Sequence, residues 1–158
     1  MALLNGFQYV QGPYKTFLST VSSTATFKAF NPVAYGLGRT LVEATSQDTV
    51  IVGVAQHDAA NSIYAGKCLV LAVFPETVFA TKTRTNIAAS NLSAGIAMDI
   101  TKSGNYILPA DSRGTAAVII VPREDGSTID SGDSSIWVQF LTAKMGPYAS
   151  STSTLYPG

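Results

Sequence analysis

The apolar runs of this chain are long enough to make strands and too short to make anything else. The longest are Cys68–Phe74 and Ala116–Val121, each stopped by a proline, Pro75 and Pro122. A membrane-crossing helix needs ~20 consecutive apolar residues, so no helical span is expected. A run of seven or fewer apolar residues bounded by proline fits a strand buried on both faces.

The same punctuation recurs along the chain. Thr40–Ala44 is short and opens on a β-branched residue. Thr49–Gln56 is a strand with Gly53 inside it, which predicts a bulge or a close backbone approach. Lys67–Phe74 is almost continuously apolar, and Thr77–Lys82 alternates. Ser93–Thr101 and Asn105–Leu108 flank a turn at Lys102-Ser103-Gly104. Thr115–Val121 and Ser135–Leu141 follow. Thr24–Phe30 alternates around Phe27 and Phe30 and ends in the turn signal Asn31-Pro32, with a second loop at Gly36-Leu37-Gly38. The only helix-like stretch is Thr85–Leu92. Short strands spaced by Gly, Pro, Asn and Ser predict an all-β fold, either an antiparallel sandwich or a small barrel.

The ends read differently. Residues 1–24 mix aromatic anchors (Phe7, Tyr9, Tyr14, Phe17) with the breakers Gly6 and Gly12-Pro13, and predict an extended N-terminal arm with at most one short strand. Residues 142–158 are rich in Ser and Thr without an apolar period, and predict an extended C-terminal tail. The β-domain is then 25–141. Within it, Gly53-Val54-Ala55 followed by Tyr64 recurs as Gly95-Ile96-Ala97 followed by Tyr106. This is either a chance likeness between two hairpins or a duplicated unit.

Composition narrows the function. Ten basic and ten acidic residues cancel. The basic ones are scattered, so neither nucleic acid nor an anionic membrane is an expected partner. Only 13% of residues are charged, against about 25% in a typical soluble protein, and mean hydropathy is +0.23. Such a surface is kept in solution by partners that cover it, or by hydroxyls, Ser and Thr being about a fifth of the chain. The single cysteine, Cys68, excludes an internal disulfide and multi-cysteine metal sites. Met1–Leu4 is apolar but has no basic lead-in, so no signal peptide is expected.

Candidate chemistry is sparse, and each candidate has a plainer reading. His57 has the adjacent carboxylate Asp58, but strand neighbours point to opposite faces and no nucleophile elbow accompanies them. Cys68 is a possible thiol partner for His57, or a small core residue inert through burial. The loop Glu124–Asp133, with Asp125, Asp130 and Asp133, is rich in oxygen ligands for calcium but lacks the EF-hand spacing. Gly36-Leu37-Gly38 lacks the third glycine and the following helix of a phosphate cradle. Tyr35, Tyr64, Tyr106 and Trp137 are either a sugar platform or packing. No catalytic, metal or cofactor residue is expected, and the chain is not expected to be an enzyme.

Over residues 39–121 the sequence resembles the capsid decoration, or cement, proteins of tailed bacteriophages. The likeness lies in Val52-Gly53-Val54-Ala55-Gln56-His57-Asp58-Ala59-Ala60, then Ala65-Gly66 and the apolar run after Lys67, then Ala94-Gly95-Ile96-Ala97 and Gly114-Thr115-Ala116-Ala117. The resemblance implies a structural virion protein on the outer capsid surface. It would be a trimer near local three-fold positions, clamping neighbouring major capsid proteins through a compact β-domain and an extended arm. It assigns no individual residue a role. The alternative is a carbohydrate- or receptor-binding β-module of a phage fibre or similar assembly. A hydrolase built on His57 or the acidic loop is a third reading.

Overall fold

The computed structural model of the 158-residue chain describes residues 6–44, 51–82, 95–103, 106–110, 117–122 and 135–141. Among them, eleven strands form two antiparallel sheets, the all-β fold expected and, of the sandwich and the small barrel, a sandwich. The strands are β1 Gln8–Gln11, β2 Thr16–Thr20, β3 Pro32–Tyr35, β4 Leu41–Glu43, β5 Ile51–Ala55, β6 Lys67–Ala72, β7 Val78–Lys82, β8 Ala97–Ser103, β9 Tyr106–Ala110, β10 Val118–Val121 and β11 Ser135–Phe140. One sheet has the order β1-β7-β11-β10-β8-β9, the other β2-β6-β5-β3-β4.

Pro75 and Gly12-Pro13 act together as a corner. β1 pairs with β7 and β2 pairs with β6, so residues 8–20 run antiparallel beside residues 67–82 and both segments fold from one sheet into the other. At the bend, the Thr77 hydroxyl donates to the Pro13 carbonyl at 2.8 Å. Gly12 has φ +99 there, and a Cβ on it would lie 2.4 Å from the Glu76 carbonyl oxygen. Only glycine fits such a position without strain.

This corrects the expected arm. Over residues 8–20 the N-terminal segment is two edge strands of the sandwich. Phe7, just before them, is 1% exposed and meets Phe140 and Phe79 at ring distances of 5.2 and 6.4 Å. β1 and β2 were hard to see because an edge strand needs fewer apolar residues. The turn read at Asn31-Pro32 is also revised: Pro32 opens β3, a first-residue position that tolerates the missing N–H. Thr24–Phe30 is not a strand, and Phe27 is a buried plug. The tail 142–158 and the helix-like stretch 85–92 lie outside the described residues.

Two cores result. The first lies between the sheets and joins Phe7, Ile51, Val54, Leu71, Phe79, Met98, Ile120 and Val138, among others. The second lies on the other face of the five-stranded sheet, where Phe17, Val33, Leu41, Val52, Val70 and Phe74 close around Phe27. β5 is therefore buried at all five positions. Gly53 shows why it is glycine. A Cβ there would sit 2.4 Å from the Leu71 carbonyl oxygen, and the β3 register shifts opposite it, between Val33 and Ala34. Gly95, its counterpart in the apparent repeat, instead precedes β8 at φ +89 with open space around it. The two glycines do different jobs, so the two segments are not structural equivalents at this position.

Candidate functional site

The five-stranded sheet coils until its two edges meet. Val21, just past β2, forms a parallel bridge with Leu41 of β4. The Ser22 N–H donates to the Leu41 carbonyl at 3.0 Å, and the Val21 N–H donates to the Gly66 carbonyl at 2.9 Å. Beside this seam a cleft of about 650 Å³ opens between β2 and the β3–β4 turn, within the size range of ligand sites, about 300–1,000 Å³.

One wall is β2, contributing Phe17, Leu18, Ser19 and Thr20. The other wall is Tyr35 and Arg39, with Lys67 from the start of β6. The β3–β4 turn is tightly braced. The Gly36 N–H donates to the Thr40 carbonyl at 2.8 Å, and the Thr40 hydroxyl donates to the Leu37 carbonyl at 2.9 Å. Gly38 and Arg39 are both left-handed, at φ +69 and +59. For a residue with a Cβ this costs about 1–2 kcal/mol, which the surrounding hydrogen bonds offset. The turn sets the Arg39 guanidinium over the Tyr35 ring, 5.9 Å from its centroid. The Tyr35 hydroxyl in turn accepts from Ser19 across the cleft at 3.3 Å.

Lys67 is held by its backbone. Its N–H donates to the Tyr64 carbonyl at 2.6 Å, and its carbonyl accepts from the Asn61 amide at 2.9 Å. The cleft thus presents two cations and three hydroxyls, and its lining residues include no carboxylate or imidazole. Such a set suits binding an oxyanion. It offers no carboxylate–histidine pair for proton transfer.

Apart from Tyr35, the described residues singled out by sequence fall elsewhere. His57 follows β5 and its ring faces Tyr64 at 5.4 Å. Asp58 turns away from it: one carboxylate oxygen accepts from the Ala29 N–H at 2.8 Å and the other lies 3.7 Å from the Lys28 ammonium. The pair is a brace between two loops. Cys68 is fully buried, and its thiol lies 3.5 Å from the backbone carbonyl of His57, not the imidazole. Burial pushes the thiol pKa up, only partly countered by hydrogen bonds at His57 and Gln56, so the nucleophilic thiolate is disfavoured. Tyr35 lines the cleft and Tyr64 packs on His57, whereas Trp137 belongs to β11 of the other sheet. The proposed sugar platform is not assembled from these three. Tyr106 opens β9, and the acidic loop with Asp125, Asp130 and Asp133 lies outside the described residues.

Sequence reasoning missed Arg39 and Lys67, treating both as scattered charges. The available signal was local: Arg39 directly follows Gly36-Leu37-Gly38, and Lys67 heads the longest apolar run. No known protein family, curated protein or solved structure matches the chain.

Proposed function

We propose that this is a structural adhesion protein, a capsid decoration protein of a tailed bacteriophage that binds the outer capsid surface and bridges major capsid proteins as a trimer. The observation that carries this reading is the display of large apolar side chains at braced loop tips. Leu37 is 96% exposed, Ile63 63% and Tyr14 61%. Leu37 stands on the hydrogen-bonded β3–β4 turn. Ile63 is fixed by its N–H bond to the Asn61 side chain at 3.1 Å. Tyr14 is set edge-on to Tyr9 at 5.0 Å. Side chains presented on ordered turns lose little conformational freedom when a partner covers them, and each is worth about 1.5–3 kcal/mol when fully buried. Trimeric display multiplies these modest contacts through effective concentration. The low charge of the chain suits the same use.

Contacts first assigned to an N-terminal arm pass to these tips, because Phe7 and Phe17 are occupied in the chain's own cores. Removing residues 1–20 would therefore unfold the domain without testing docking. The informative variants are Leu37→Asp, Ile63→Asp and Tyr14→Ser. Co-sedimentation with undecorated phage capsids should fall at least tenfold for the triple variant at an unchanged melting temperature. A wild-type chain that fails to co-sediment, or a triple variant that binds as well, overturns the reading. Gel filtration of the wild type tests the trimer.

A further inference from the structure

We infer that the seam cleft is a binding site for an acidic sugar, its carboxylate seated between Arg39 and Lys67 and its hydroxyls against Ser19, Thr20 and Tyr35. Three observations converge on this. Two cations line one cleft, and its lining residues include no acid to neutralise them. The ion pair of Lys28 with Asp58 lies in another loop, so it does not quench the cleft. Second, Arg39 is held in a left-handed backbone conformation. Strain of this kind persists where the surroundings over-determine it, and it concentrates at ligand clamps.

Third, beside the cleft the Val21–Leu41 bridge and the Ser22 hydrogen bond close the seam. The chain just past β2 is therefore already paired, and an extended peptide adding to the β2 edge would be stopped there. Leu18, 40% exposed and lining the cleft, supplies an apolar surface suited to the C–H face of a pyranose ring. A guanidinium offers paired donors to a carboxylate, while the lysine ammonium adds a point charge.

This inference is independent of the capsid reading, since the tips Leu37, Ile63 and Tyr14 do not line the cleft. The test titrates the full chain with methyl β-D-glucuronide, methyl β-D-glucoside and sodium sulfate, followed by amide chemical shifts. The glucuronide should shift Ser19, Thr20, Arg39 and Lys67 at millimolar concentration. The neutral glucoside should bind at least tenfold more weakly, and sulfate more weakly than the glucuronide. Arg39→Asn keeps a residue that tolerates the left-handed conformation, and Lys67→Gln keeps the strand. Each should weaken the glucuronide at least fivefold at an unchanged melting temperature. Equal binding of the two sugars, or binding indifferent to both variants, overturns the site. Sulfate binding as tightly as the glucuronide overturns the sugar and leaves a simple oxyanion site.

Discussion

The two sheets bury themselves by different rules. In the six-stranded sheet β10 and β11 alternate: β10 places Val118 and Ile120 inside and leaves Ile119 and Val121 half-buried, and β11 does the same with Ile136, Val138 and Phe140 against Trp137 and Gln139. In these two strands one face works, whereas β7 between β1 and β11 is buried at its first four positions. The five-stranded sheet is buried on both faces along β5 and most of β3 and β6, shared core on one side and Phe27 with its neighbours on the other. A sheet filled on both faces has nowhere to place polar side chains except its edges and turns. That is where this sheet keeps Ser19, Thr20, Arg39 and Lys67. The candidate site is thus a consequence of coiling: it arises at the seam of the sheet that nearly closes on itself.

The largest expected effect strikes what the two sheets share. Phe7 sits with Phe79 and Phe140 between them. Phe7→Ala should cost about 3–5 kcal/mol and unfold both sheets in one urea transition. Two separated transitions, or a loss below about 1 kcal/mol, would break the view that residue 7 belongs to the common core.

Next comes a change specific to the coiled sheet. Gly53→Ala places a methyl against the Leu71 carbonyl and the Val70 side chain. Backbone cannot yield as a flexible side chain does, so a loss of about 2–3 kcal/mol is expected in thermal denaturation. A neutral substitution would mean that β5 and β6 are farther apart than described. The corner that joins the sheets should be weaker. Thr77→Val removes a fully buried hydroxyl that donates to the Pro13 carbonyl, worth about 1–2 kcal/mol.

How much of this was legible in sequence depended on locality. Thr49–Gln56 and Lys67–Phe74 announced themselves because a strand buried on both faces must be apolar throughout, and Gly53 marked a close approach correctly. Ser135–Leu141 was legible because one buried face imposes alternation. β1 and β2 were not, because an edge strand pairs on one side and admits Gln, Ser and Thr. The corner was half legible: Gly12-Pro13 and Pro75 read as breaks, but nothing local says that two breaks 63 residues apart lie side by side. The cleft was illegible for the same reason. Its residues come from positions 17–20, 35, 39 and 67, and only the curl of the sheet gathers them. Sandwich and barrel were both open from sequence. The structure is a sandwich in which one sheet leans toward a barrel.

The smallest effect is a pH dependence confined to the inner core of the coiled sheet. Cys68 is buried among Val52, Val70 and Phe17, and burial raises its thiol pKa. The unfolded chain ionises the thiol near pH 8.5, while the folded chain holds it neutral to higher pH. The stability this burial supports is complete below about pH 8.5 and declines as pH rises through the folded value, because only the unfolded state gains the free energy of ionisation. Cys68→Ala should remove the cysteine-specific part of that alkaline loss, at the cost of about 1 kcal/mol or less of packing at neutral pH. The measurement is urea unfolding from pH 7 to 10 for both chains. If their stabilities decline in parallel, the thiol is not sealed in, and the second core is more open than the first.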